Sequence, residues 1–340
     1  MAALDSKKLD AFVEETARKT KRGYSIVEKD YWVVWLLDLL FSGPYADQLT
    51  FKGGTSLSKA YKMIDRFSED VDLTIDRGLI QLDPAKSLET PDLGTAQRTK
   101  RGKAFDNSVE DFIRSEFAPW LEAEIHKHLS SRAGDTAPAL RIDEKDPLNL
   151  FFDYPRRPDD RDNAYIAPFV RLELGARGDR SPQSQHTITS YIEDEFPQIF
   201  KDKKPAGINV LAIERTFWEK LTILHSVCCR PDDKPPRERF SRHYYDVFLL
   251  AQDADLVART VSNTDLLAAI VENKRAYFFE SWDWYPTAKR GSFQLVPSEA
   301  QQKSLARDYI SMQDMIFGDI PDFSEIITAL QQLEENINTA

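Results

Sequence analysis

The chain reads Phe51-Lys-Gly-Gly-Thr-Ser-Leu-Ser-Lys-Ala60 and, after a short spacer, Arg66-Phe-Ser-Glu-Asp-Val-Asp-Leu73; no other segment constrains the fold as much. It predicts an apolar strand end, a paired glycine, a helix and a second strand. Paired glycines open backbone conformations and close approaches that other residues lack. A helix starting there offers free N–H groups and partial positive charge to a phosphate. Asp70 and Asp72 lie two apart on an apolar run with Val71, Leu73 and Ile75, so on a strand they share a face. Two adjacent carboxylates repel unless a cation lies between them, and Mg²⁺ shared with substrate phosphates is a common solution.

At 340 residues the chain is long for one core, which predicts two domains or a single large one. No run of about 18 apolar residues is present, so no membrane span is expected. The start, Met1-Ala-Ala-Leu-Asp-Ser-Lys-Lys8, has no apolar signal core. The two cysteines, Cys228 and Cys229, are adjacent and poorly placed to bridge each other, so a reducing cytoplasmic location is the expectation. A net charge of −11 disfavours indiscriminate nucleic-acid binding. It leaves room for a structured RNA held by local patches: Arg98-Thr-Lys-Arg-Gly-Lys103, Arg156-Arg157, Lys201-Asp-Lys-Lys204 and Arg237 to His243. The plainer reading of each patch is a solvated loop.

Apolar periodicity predicts helices over 5–22 and from about Ser25, the latter opened by a Ser25/Glu28 capping box and ended by Gly43-Pro44. A strand over 49–52, a helix over 55–64 and a strand over 70–76 follow, then a polar loop over 77–103 and a helix over 104–131. Strands are expected at 140–142, 148–154 and 166–174, with a charged turn over 154–163 and a polar break over 177–185. Helices over 210–229 and from Arg242 flank a proline-rich loop, and the rest is mostly helical, interrupted at Trp282 to Pro286 and at Pro297. The outline is an α+β chain: a mixed half, residues 1–205, then a helical half, residues 206–340.

Beyond Asp70 and Asp72, a third acid is Glu173 in Val170-Arg-Leu-Glu-Leu174, whose alternative reading is an exposed Arg171/Glu173 pair on an edge strand. Lys220 lies beside the apolar stripe of Phe217, Leu221 and Leu224. It either lays its stem on the core or holds phosphates. His225 reads as an interior histidine, with no partner at zinc spacing. Arg239, Arg242 and His243, with Asp246 one turn on, suit either helix-start electrostatics or a phosphate-binding cluster. Gly53-Gly-Thr-Ser-Leu-Ser-Lys59 lacks the second glycine of a P-loop.

Gly53-Gly-Thr with Arg66-Phe-Ser-Glu-Asp-Val-Asp-Leu73 resembles the AbiEii/AbiGii nucleotidyltransferase toxins of the DNA polymerase β-like superfamily. Glu28-Lys-Asp-Tyr-Trp32, Arg171-Leu-Glu173, Glu214-Arg-Thr-Phe-Trp-Glu-Lys220 and Arg242-His-Tyr-Tyr-Asp246 extend the resemblance in family order. It implies a polymerase β-like nucleotidyltransferase domain followed by a helical domain. It also implies a toxin of a bacterial toxin–antitoxin or phage-defence system, neutralised by a cognate antitoxin. Relatives of the mycobacterial MenT type transfer nucleotides to the 3′ end of tRNA. By position, Asp70, Asp72, Lys220 and Asp246 match catalytic residues. Gly53, Gly54, Thr55, Ser56, Lys220 and Arg242 match nucleotide-binding ones, and Asp70, Asp72 and Glu173 match ligands of two Mg²⁺ ions. An NTP would be the substrate. The alternatives are transfer to a protein or small molecule, or a non-catalytic module that binds nucleotide or a partner.

Overall fold

The computed structural model describes residues 6–129, 135–156, 166–231, 234, 236, 238–279 and 284–339. Arg157, Arg237, Trp282, Asp283 and most of the charged turn expected over 154–163 lie outside them. The described residues form an α+β fold. It divides into two compact units: residues 1–60, 68–176 and 183–210, and residues 61–67, 177–182 and 211–340.

In the first unit, α1 (Ser6–Thr20) and α2 (Tyr24–Phe41) precede β1 (Leu49–Lys52), α3 (Gly53–Lys59) and β2 (Asp70–Ile75). Then come α4 (Thr95–Phe112), α5 (Ala118–His128), β3 (Ala139–Ile142), β4 (Asn149–Asp153), β5 (Val170–Gly175), β6 (Gln183–His186), α6 (Tyr191–Glu195) and β7 (Ile208–Leu211). The seven-stranded sheet runs β3-β4-β5-β2-β1-β7-β6. β2 is antiparallel to β1 and parallel to β5, so the strand carrying Asp70 and Asp72 lies in the sheet interior. α2 is buried from Val27 to Phe41, as a helix apolar on nearly every side must be. Its Trp35 stacks on Phe152 of β4 (5.6 Å between rings), and Trp32 stacks on Tyr154.

The second unit is helical: α7 (Ile213–Cys228), α8 (Ser241–Leu250), α9 (Ala254–Ser262), α10 (Thr264–Tyr277), α11 (Glu299–Met312) and α12 (Phe323–Thr339). Trp218 of α7 donates its indole N–H to the Thr260 carbonyl, while Tyr309 packs against Tyr245 and Phe323. Arg215 and Asn273 both hold Asp179, which ties the segment 177–182 into this unit.

Several elements differ from the sequence expectation. Ser25 sits inside α2, whose cap is Gly23, with no side-chain capping bond. α3 runs from Gly53 to Lys59 rather than over 55–64. The last third of the polar stretch 77–103 is the start of α4: Gln, Arg and Lys are good helix formers, and an exposed helix of them looks like loop by hydropathy alone. The helix expected over 104–131 is broken by a π-turn at Ile113–Phe117, ahead of Pro119 in the first turn of α5. Ile208–Leu211 is a buried strand parallel to β1, so α7 starts at Ile213 instead of 210. β5 pairs on both sides and is not an edge strand. Phe152→Ala empties the site against Trp35. We expect it to lower the unfolding free energy by about 3–5 kcal/mol, read from urea denaturation midpoints.

Candidate functional site

Parallel pairing sets Asp70 opposite Arg171 and Asp72 opposite Glu173 across β2 and β5. Residues two apart on a strand share a face, so three carboxylates and one guanidinium gather on one side of the sheet. The Arg171 guanidinium takes Asp70 with both arms, Nε to Oδ1 at 3.1 Å and Nη2 to Oδ2 at 2.7 Å. Its Nη2 also lies 2.6 Å from Glu173 Oε1. Burial works against that charge, but Asp70 outweighs it and holds the guanidinium protonated well beyond its ordinary range. Burial, and then the adjacent Asp72 carboxylate, push Glu173 up to about 7. The cluster is thus short of positive charge on its Asp72–Glu173 side.

Gly53 adjoins this cluster. It has φ +78°, and a Cβ there would fall 1.9 Å from Asp72 Oδ2, so the Asp72 carboxylate fills the space of the absent side chain. β1 and β2 bring them together, pairing Lys52 with Asp72. The Thr55 hydroxyl bonds the Asp70 carbonyl and the Ser68 hydroxyl, and that of Ser56 donates to the Gly53 carbonyl. Both residues are buried; the Thr55 hydroxyl staples the turn to β2, the Ser56 hydroxyl closes the turn on itself, and backbone groups are left as what the turn can offer a ligand.

The second unit contains a different cluster. Asp246 on α8 is fully buried; Arg66 grips it with both arms (Nε to Oδ1 2.7 Å, Nη2 to Oδ2 2.8 Å), and Lys220 Nζ of α7 donates to Oδ2 at 2.8 Å. Burial opposes the Asp246 charge, but Arg66 and then Lys220 outweigh it and hold the carboxyl well below the usual range. Burial pulls Lys220 down, with Asp246 opposing. Burial, Lys220 and Arg242 together press His243 far below its ordinary value, which keeps it neutral. One carboxylate therefore faces Arg66 and Lys220, with the half-buried Arg242 adding to their charge. His225 is an interior residue, its Nδ1 accepting the Gln294 N–H and its Nε2 bonded to the Thr287 hydroxyl.

The structure brings Asp70, Asp72, Glu173, Gly53, Gly54, Thr55 and Ser56 together in the first unit, and Lys220, Asp246 and Arg242 in the second. The sequence reading assigned no role to Arg66, although it stands in the segment quoted first, and treated Arg171 only as a companion of Glu173. An arginine alternating with acids on an apolar strand was the signal for the second.

The candidate residues thus fall into two clusters, one in each unit. The family described as nucleotidyl transferase AbiEii toxin, type IV toxin–antitoxin system, matches residues 35–332, and the chain belongs to that family. It is a nucleotidyltransferase of the toxin class. Among solved structures, MenT4, a nucleotidyltransferase toxin from Mycobacterium tuberculosis H37Rv, aligns at 15% identity with a TM-score of 0.48, covering 99% of this chain and 91% of that one. No curated protein sequence matches the chain. Among the described residues, no helix is long and apolar enough to cross a membrane.

Asp246→Asn would leave two buried cations facing a neutral amide. We expect a loss of about 3–5 kcal/mol of unfolding free energy at pH 7. The folded carboxyl titrates below its unfolded value of about 3.9. Its contribution is therefore complete above about pH 4 and falls as the pH drops through the folded value. The gap between wild type and variant, measured by urea titration at pH 7 and pH 3, should narrow at the lower pH.

Proposed function

We propose that this toxin uses Mg²⁺ to transfer a nucleoside monophosphate from an NTP to the 3′ end of tRNA. The observation that carries the metal chemistry is the in-register set Asp70, Asp72 and Glu173 beside the Gly53 turn. Among the described residues, no group of three His, Cys, Asp or Glu side chains stands ready to hold a metal ion. Arg171 lies between Asp70 and Glu173 and takes up part of their charge. Mg²⁺ commonly needs only one or two carboxylates, its other ligands being water and substrate phosphates. Asp72 and Glu173, which push against each other, and Asp70 supply that donor set. The residues fit the ion; when bound, it would neutralise phosphate charge and make an acceptor hydroxyl more acidic.

The chain's own residues would act as follows. Asp70 and Asp72 present oxygens from one strand face. Gly53 and Gly54 let backbone approach a phosphate without side-chain obstruction. Lys220 and Arg242 carry positive charge suited to the nucleotide's phosphates. Asp246, whose oxygens are spent on Arg66 and Lys220, orients Lys220 rather than meeting substrate. The acceptor oxygen attacks the α-phosphorus, its O–P bond forms as the bond to pyrophosphate breaks, and the hydroxyl proton passes to solvent water. For the acceptor, support comes from the resemblance to tRNA-modifying relatives. Lys100 and Lys103, exposed with the half-buried Arg98 on α4, add a local positive face on a chain of charge −11. A cognate antitoxin is the partner that the type IV system implies.

Incubating total tRNA with each of the four α-labelled NTPs tests this reading. Label should enter tRNA with wild type and stop with EDTA. Asp70→Asn and Asp72→Asn should lower transfer at least a hundredfold while the protein stays folded and melts cooperatively. Full transfer by either variant would refute the metal assignment; label in a protein or small-molecule pool instead of tRNA would refute the acceptor. Gly53→Ala should lower transfer at least tenfold, because its methyl must displace the Asp72 carboxylate.

A further inference from the structure

Three consecutive residues of α2, Glu28-Lys-Asp30, are buried on a mostly apolar helix, and the proposed chemistry uses none of them. Lys29 is 1% exposed. Its ammonium donates to Glu69 Oε2 at 2.6 Å and to the Ala167 carbonyl at 3.1 Å, with the Phe169 ring 5.6 Å away. Glu69 is the residue immediately before Asp70. Asp30 is equally occupied: Oδ1 takes Lys59 Nζ at 2.6 Å and Oδ2 accepts the Tyr191 N–H at 2.7 Å. Lys59, which also lies 4.1 Å over the Tyr191 ring, ends the helix that Gly53 begins. Neighbouring residues of one buried helix thus grip the entry to the acid strand and the far end of the glycine-headed helix.

We infer that Lys29 and Asp30 are positioning residues for the transfer reaction: through Glu69 and Lys59 they fix β2 and α3 to a common rigid element, α2. The inference rests on the proposed metal-dependent transfer. Its physical basis is a cost. Buried ion pairs contribute little net stability, and apolar replacements of similar volume are often neutral or stabilising. Two such pairs at adjacent positions are therefore better explained by the geometry they impose than by the stability they confer. A displacement of about 1 Å in a reacting constellation can lower a rate by about a hundredfold. The segment between the two gripped elements does not hold them together within this unit, because residues 61–67 belong to the other one. The same helix supplies an internal comparison. Buried Asp38 pairs with Lys203 and accepts the Ala206 N–H, and neither partner is part of the proposed site.

The test replaces each pair as a unit in the full-length protein: Lys29→Met with Glu69→Met, Asp30→Asn with Lys59→Met, and, as the control, Asp38→Asn with Lys203→Met. Readouts are melting temperature, affinity for Mn²⁺ alone by electron paramagnetic resonance, and kcat and KM for the NTP that wild type transfers. The two site pairs should bind Mn²⁺ several-fold more weakly and lose at least tenfold in kcat with little change in KM. The control should keep the wild-type affinity for Mn²⁺ whatever its melting temperature. Folded site-pair variants with wild-type kcat and Mn²⁺ affinity would overturn the inference. If the double variants do not fold, Lys29→Arg keeps the charge but alters its reach; it should lower kcat several-fold, and an unchanged kcat would equally overturn it. The two levels of failure are distinguishable. A wild type that neither transfers label nor binds Mn²⁺ better than Asp70→Asn removes the transfer reading and this inference with it. A wild type that does both, matched by its variants, removes only the inference.

Discussion

The pairing of β2 with β5 is the constraint on which the candidate site depends. It is parallel and interior, and it fixes Asp70 to Arg171 and Asp72 to Glu173. A slip of one residue would send every acid to the opposite face, where Val71, Leu73, Leu172 and Leu174 are buried. The register is thus enforced by the apolar half of each strand, and the acids inherit their position from it. Arg171 then takes Asp70 with both arms and touches Glu173 with one, while burial and the facing Asp72 carboxylate still raise Glu173.

The second unit carries the opposite imbalance. There a single carboxylate, Asp246, has Arg66 and Lys220 bonded to it and the charge of Arg242 near Lys220. Each unit thus holds one charge cluster, acidic around Asp72 and Glu173 in the first and cationic around Asp246 in the second. The family membership makes the reaction nucleotidyl transfer.

Much of the first cluster was legible in the sequence because its determinants are local. Two acids at period two on an apolar run, with fifteen residues between Gly54 and Asp70, need only strand geometry to be placed on one face. What was not legible is long-range. Nothing in Val170 to Leu174 says that it pairs with β2 rather than lying at an edge, yet that pairing is what brings Arg171 to Asp70. The partners of Lys29 and Asp30 lie 40 and 29 positions along the chain, at Glu69 and Lys59, beyond any helical or strand period. β7 was hidden for another reason. Its short apolar run leads almost directly into the apolar stripe of α7, and four residues do not reveal whether their period is 2 or 3.6.

Arg66 has a bearing on how the gene could be divided. The chain leaves the first unit at residue 60, spends seven residues in the second, and returns at residue 68. In those seven residues Arg66 reaches Asp246 through 180 positions of sequence. A fragment carrying all of the strands would retain this guanidinium and lose its carboxylate. Neither half of the chain, expressed by itself, contains a complete set of its own buried charges, so the two have reason to be inherited, and to diverge, as one.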